Sequence, residues 1–225
     1  MNLLLLAIAP VFAILLYIYV QDIHEKEPRG LLISSFLLGA VVSILIVFVL
    51  YFFTGRFIPI TDEFSVWQQF IQAFVVVALS EEFSKYVIVK YFAQPKKAFN
   101  EPYDGIIYAV MVSMGFACTE NLMYVIDGGY QTALVRAFTA VPAHATFGVL
   151  MGYYMGKAKF SNNRLVLNLI GLLLATIFHG AYDFFLFINF IPGISIGAFI
   201  SLIIGILLSR KAIKKHQDDS HFKSS

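Results

Sequence analysis

Charge is scarce in this chain. Lys, Arg, Asp and Glu make up 13% of its 225 residues, about half the ~25% of a soluble domain. A single cysteine, Cys118, excludes an internal disulfide framework and a cysteine zinc cluster. It lies in an apolar run and reads as a small buried hydrophobe. The net charge of +2 offers no basic excess for nucleic acid. No glycine-rich phosphate loop is present, which argues against a nucleotide. No G-x-S-x-G elbow surrounds Ser80. H-E-x-x-H is missing too, so the usual zinc-protease helix is absent.

Apolar side chains are abundant, at 59% with a mean hydropathy of +0.78, against roughly 45–50% in soluble domains. A soluble globule of this size cannot hide that much apolar surface, and a disordered chain would not carry it. The expected fold is all-α, a polytopic transmembrane helical bundle. Seven apolar stretches approach the ~20 residues of a membrane span, at 2–20, 31–53, 65–92, 103–126, 132–156, 165–189 and 194–209. The last two are separated only by Phe190-Ile191-Pro192-Gly193, a tight-turn sequence. If they form one kinked helix instead, the count falls to six. The opening MNLLLLAIAP has no preceding Lys or Arg and no convincing cleavage site, and reads as a retained helix.

Lys and Arg gather in alternate loops: Lys26 and Arg29; Lys90, Lys96 and Lys97; Lys157, Lys159 and Arg164; and the C-terminal tail. By the positive-inside rule this places the N-terminus outside and the C-terminus in the cytoplasm, an odd parity that favours seven crossings. Residues 1–209 read as one integral membrane domain. Residues 210–225 read as a polar cytoplasmic tail that frays in solvent, with His216 and His221 solvated.

Small residues recur at spacing four. Ala140, His144, Gly148, Gly152 and Gly156 share one face; Gly171, Ala175, His179 and Asp183 share another; Gly193, Gly197, Ser201, Gly205 and Ser209 a third. Such stripes let membrane helices approach closely, and they aim His144 and His179 into the bundle.

Ionisable and polar groups stand where lipid would penalise them: Glu81, Glu82 and Lys85, then Glu120 and Asn121, then His144, then His179 and Asp183. Each charge at the bilayer centre costs at least about 2.5–3.5 kcal/mol, so a functional reading is the default. Their positions overlap from the midplane into the outer half, which allows one shared site. Lys85 is i+4 from Glu81 and i+3 from Glu82, and can reach either. Asp183 is i+4 from His179 and can fix its tautomer. Peptide hydrolysis needs an activated water and oxyanion stabilisation. Paired carboxylates with histidines can supply both.

SEEFSKY (residues 80–86), GFACTEN (115–121), PAHATFG around His144 and HGAYD (179–183) together resemble the PrsW family of bacterial membrane proteases. The loop DIHEKEP (22–28) and YDGIIYA (103–109) add to the likeness. That family is distantly related to the CAAX prenyl proteases and abortive-infection-like glutamate proteases. The resemblance implies a helical-bundle endopeptidase in the bacterial cell membrane that makes the first, extracytoplasmic cut in a membrane-anchored anti-sigma factor. It casts Glu81 as the base that activates water, Glu82 and Lys85 as support, and Glu120, His144, His179 and Asp183 as the rest of the catalytic set, with Asn121 supporting. The prenyl-protease relatives have histidine at position 120 and asparagine at position 183. The acidic residues here reopen a metal, so zinc is an option, with Glu81, Glu82, Glu120, His144 and His179 as its ligands by type. No cofactor is otherwise expected.

Other positions carry plainer readings. Asp22, Glu25, Lys26 and Glu27 read as a solvated turn, with a packing or regulatory role as the alternative. Asp104 reads as a helix cap. Arg136 reads as snorkelling to the interface, with pairing to the site carboxylates as the alternative. Trp67, Tyr153 and Tyr154 fit an interfacial aromatic belt. The competing functions are a proton- or cation-coupled transporter built on the same cluster, disfavoured by the lack of an inverted repeat, and a membrane scaffold with a structural polar core.

Overall fold

The computed structural model describes residues 2–220 and 222, and among them the regular secondary structure is entirely helical. α1 (Leu3–Gln21) is capped by the Asn2 side chain. α2 (Arg29–Phe57) carries a π-helical turn at Gly39–Ser43. α3 (66–93) is helical throughout, with π-helical turns at Gln72–Ala78 and Val89–Ala93 on either side of Leu79–Ile88. α4 (Pro102–Phe138), α5 (Ala140–Lys159), α6 (Arg164–Phe187) and α7 (Ile196–Asp218) follow. The all-α class is therefore present, and the expected stretches match these helices approximately, the fifth beginning at Ala140 because residues 132–138 belong to α4. Among the described residues five segments are long and apolar enough to cross a membrane, the 102–159 stretch counting as one. At 58 residues, and about 1.5 Å per residue, that stretch has the length for two passes. α3 falls outside the five, its middle being occupied by Glu81, Glu82 and Lys85.

α4 is the axis of the molecule. Every residue from Tyr103 to Ala117 is buried, as expected of a helix that is apolar all round. α1, α2 and α5 pack around it. The glycine stripe of α5 faces it: a Cβ on Gly152 would lie 2.3 Å from the Gly105 carbonyl oxygen. The backbones of α4 and α5 touch there, and only glycine on both sides allows it. α4 turns sharply at Gly129 (φ 68°), a left-handed conformation that glycine adopts without strain. The turn brings residues 130–138 back along 120–128. Gly193 (φ 77°) does the same in the expected turn between α6 and α7.

The basic loops share one end of the bundle. Lys159 Nζ donates to the carbonyls of Gln94 (2.5 Å) and Lys96 (3.3 Å), tying two of these loops together. At that end two expectations are corrected and the capping role of Asp104 is met. α7 runs on to Asp218 instead of fraying from residue 211, and His216 is fully buried, stacked on Tyr153 at 4.3 Å. Its apolar surroundings hold the helix together past the polar sequence; His221 lies outside the described residues. Asp22 and Glu27 are buried, not solvated, because Tyr108 donates to Glu27 and Lys26 bonds the Tyr19 and Asp22 carbonyls. Asp104 is the third residue of a capping box whose cap is Glu101; its Oδ2 accepts the N–H groups of Asn100 (2.6 Å) and Glu101 (2.8 Å).

Two outcomes follow from this packing. Gly152→Leu is expected to destabilise the fold by about 3 kcal/mol or more, seen as loss of the monodisperse peak in detergent chromatography. Burial, with the neighbouring Asp104 charge, pushes Glu27 up to about 9, and burial raises Asp22 to about 6 against the pull of Lys26. At these two groups the folded state holds protons that the unfolded chain releases, so their contribution to stability is fullest in acid and is lost as pH rises toward 9. Melting temperatures between pH 5 and 9 test this, and Glu27→Gln is expected to flatten the slope.

Candidate active site

The site is built on α3, one turn after its central π-helical segment. Successive helical residues point about 100° apart, so Glu81 and Glu82 meet different neighbours. Glu82 is fully buried: its Oε1 accepts from Lys85 Nζ at 2.6 Å and lies 2.9 Å from His179 Nδ1 on α6. Glu81 Oε1 accepts from the Tyr51 hydroxyl on α2 at 3.0 Å. Glu81 Oε2 has no hydrogen-bond partner, and lies 3.6 Å from Lys85 Nζ and 3.9 Å from His179 Nε2. Of the two carboxylates within its reach, Lys85 has taken Glu82.

Lys85 Nζ also sits 4.3 Å from the centre of the Phe116 ring and 3.3 Å from His144 Nδ1. An ammonium only donates, so Nδ1 accepts. His144 Nε2–H is then free to donate to Glu120 Oε2 at 2.9 Å. Arg136 donates to the same oxygen at 2.6 Å, and its Nε donates to Asn121 Oδ1 at 2.7 Å. Arg136 therefore pairs with the site instead of snorkelling, because the turn at Gly129 carries it back to Glu120. Asn121 stands one step away, donating to the Ala7 carbonyl at 2.7 Å; it braces α4 against α1. Asp183 Oδ2 is 3.2 Å from His179 Nε2, so both nitrogens of that ring face a carboxylate. Phe147 stacks on it at 4.8 Å.

Glu81, Glu82, Lys85, Glu120, His144, His179 and Asp183, drawn from four helices, thus form one cluster. The residue that sequence reasoning missed is Tyr51: a tyrosine near a helix end carries no signal that sets it apart from the aromatic belt. A cavity of about 460 Å³ lies over the cluster, lined by Tyr51, Glu81, Glu120, Arg136, His144, His179 and Asp183. It is also lined by Gln72, Thr139 and Phe187, so it opens at the end opposite the basic loops.

Among the five metal donors considered, Glu81, His144 and His179 each offer one ligand atom, all within 4.8 Å of one another. Glu82 and Glu120 lie outside that group, held by Lys85 and Arg136. Two imidazoles and a carboxylate are a donor set of catalytic zinc. Four carboxylates also face two fixed cations here, an acidic excess that a metal ion would balance. Glu81 Oε2 is without a hydrogen bond, whereas each imidazole would have to give up one of its contacts, to Lys85 or Glu120 for His144 and to Glu82 or Asp183 for His179, to hold an ion.

A family model described as PrsW family intramembrane metalloprotease matches residues 27–209, which span every one of these groups. The chain belongs to the PrsW family. Protease PrsW of Oceanobacillus iheyensis is 41% identical over 187 residues, 83% of each chain. Protease PrsW of Geobacillus kaustophilus is 38% identical, covering 80% of this chain and 77% of its own. Protease PrsW of Bacillus subtilis is 37% identical, covering 80% of each. No solved structure matches the chain. As a PrsW-family member the protein is a multi-pass membrane protease, and a transporter is not favoured.

Lys85 is the counter-charge of this PrsW-family site. Lys85→Met leaves Glu82 buried without its cation and is expected to cost about 3–5 kcal/mol of stability. Adding Glu82→Gln is expected to recover a large part of that loss in the same thermal unfolding measurement.

Proposed function

We propose that the protein is an intramembrane endopeptidase that cuts a membrane-anchored anti-sigma factor near the extracytoplasmic face. The observation that carries this reading is one buried carboxylate oxygen, Glu81 Oε2, unpartnered beneath a cavity that opens away from the basic end of the bundle. Basic loops stay on the cytoplasmic side. This supports an N-terminus outside, a C-terminus inside and a site that opens outward. The resemblance of SEEFSKY, GFACTEN and HGAYD to the family's motifs supports the anti-sigma substrate.

Glu81 is assigned as the group that takes the proton of the attacking water, with Tyr51 holding its other oxygen. Glu82 and Asp183 grip the two nitrogens of His179 and fix that ring. An ionised Asp183 cannot itself donate to an oxyanion, so its role runs through His179. Arg136 lines the cavity and keeps N–H groups beyond those given to Glu120 and Asn121, suited to charge growing on the carbonyl oxygen. An ion held by Glu81, His144 and His179 would polarise that carbonyl and acidify a bound water.

The test is cleavage of an anchored substrate by purified protein in detergent, comparing wild type, Glu81→Gln and His179→Ala with and without a strong chelator. Both variants are expected to lose activity by about 100-fold or more. Activity that survives the chelator assigns the chemistry to Glu81 without a metal. Activity abolished by the chelator and restored by zinc makes the same residues ligands. Undiminished cleavage by Glu81→Gln overturns the assignment.

A further inference from the structure

The cavity over Glu81 is not isolated. An apolar cleft of about 250 Å³ between the outer half of α2 and α4 joins it, and both are lined by Tyr51, Glu81, Glu120 and Tyr124. The rest of the cleft is apolar, with Val47, Phe48 and Met123 among its lining, apart from the exposed carboxylate of Asp127. Phe48 and Met123 are 52% and 45% exposed on the bundle's outer surface, so the cleft opens sideways, where lipid would lie. Along Ile44–Phe57 only Val47 is buried, which leaves this half of α2 the loosest wall of the site. On the opposite side a polar vestibule of about 500 Å³ shares Gln72, Leu186 and Phe187 with the central cavity. Glu63, Gln69 and Asn189 line it, at the outer end of the bundle.

The three spaces run in series: apolar and lateral, then acidic with the histidines, then polar and outward. A polypeptide that leaves lipid for water has the same order of polarity along its length. We propose that the substrate lies across the site in one direction, with the end of its membrane-anchoring segment in the α2–α4 cleft, its scissile bond at Glu81 and its extramembrane chain in the vestibule. This rests on the protease reading above and adds the binding direction. The cleft volume limits it to one large apolar side chain or two small ones. The Gln72 amide, at the junction with the vestibule, offers a donor and an acceptor to a passing peptide backbone. Tyr51 belongs to both the cleft and the Glu81 carboxylate, so a chain entering there meets the hydroxyl that holds the catalytic group.

The experiment uses the full-length protein in detergent and two series of anchored peptides. One series varies the apolar residue on the membrane side of the cut between Leu and Ala. The other lengthens or removes the polar chain beyond it. Met123→Trp fills the cleft and is expected to lower kcat/KM at least tenfold for the Leu peptides and less than threefold for the Ala peptides. Gln72→Leu is expected to raise KM several-fold for peptides with the long polar chain and to leave truncated peptides unchanged. Disulfide trapping gives a readout independent of turnover. In a Cys118→Ala, Glu81→Gln background, a cysteine on the anchoring segment is expected to cross-link to Met123→Cys and not to Leu173→Cys on the exposed face of α6. Equal losses for Leu and Ala peptides, or cross-linking at Leu173→Cys instead, overturn the proposed direction. Absence of any Glu81-dependent cleavage by wild type, with trapping at Met123→Cys retained, overturns the catalytic assignment and leaves the cleft as the binding surface.

Discussion

A pair of carboxylates on consecutive residues of a buried helix loses most of its hydration, so a counter-charge inside the protein must offset much of that cost. Lys85 does this for Glu82, one turn along the same helix, and much of the site follows from that pairing. Lys85 and His179 engage Glu82 through one oxygen, and although each carboxylate keeps one oxygen without a hydrogen bond, only Glu81 lines the cavity. Because the ammonium lies against His144 Nδ1, the other nitrogen of that ring is turned to Glu120. The charge balance is still acidic, and the histidines sit where that excess is greatest. The same constraint makes the cluster suited to hydrolysis and to holding a cation.

Close helix approach makes this density of polar groups attainable. Glycine against glycine between α4 and α5 brings the backbones together, so that Ser113 donates to the His144 carbonyl at 2.7 Å and His144 faces Glu120 at the same level. A larger residue at Gly105 or Gly152 would move α5 outward and take His144 from its partners. The small-residue stripe and His144 share one face for this reason: the stripe sets the depth at which the imidazole stands.

Much of this was legible in the chain. Apolar run lengths gave the helical class and seven stretches, and spacing-four stripes showed which faces turn inward. The i+3 and i+4 relations of Lys85 to Glu82 and Glu81 are local, and so visible. Arg136 was ambiguous, because its partner lies sixteen residues back and is reached only through the turn at Gly129. His216 was misread because a polar stretch of sequence does not reveal that Tyr153, on another helix, covers its ring. Glu27 was misread for the same reason, its carboxylate accepting from the Tyr108 hydroxyl of α4.

By itself the sequence determined a membrane-embedded helical chain with catalytic residue types placed in its spans, since hydrophobic length and helical period are properties of single segments. Only the tertiary structure decided that Lys85 takes Glu82 and leaves Glu81 open, that Tyr51 holds Glu81, and that an apolar cleft and a polar vestibule meet over it. Those outcomes depend on which helices pack side by side and at what depth, and contacts between distant segments are fixed by packing, not by the local order of residues.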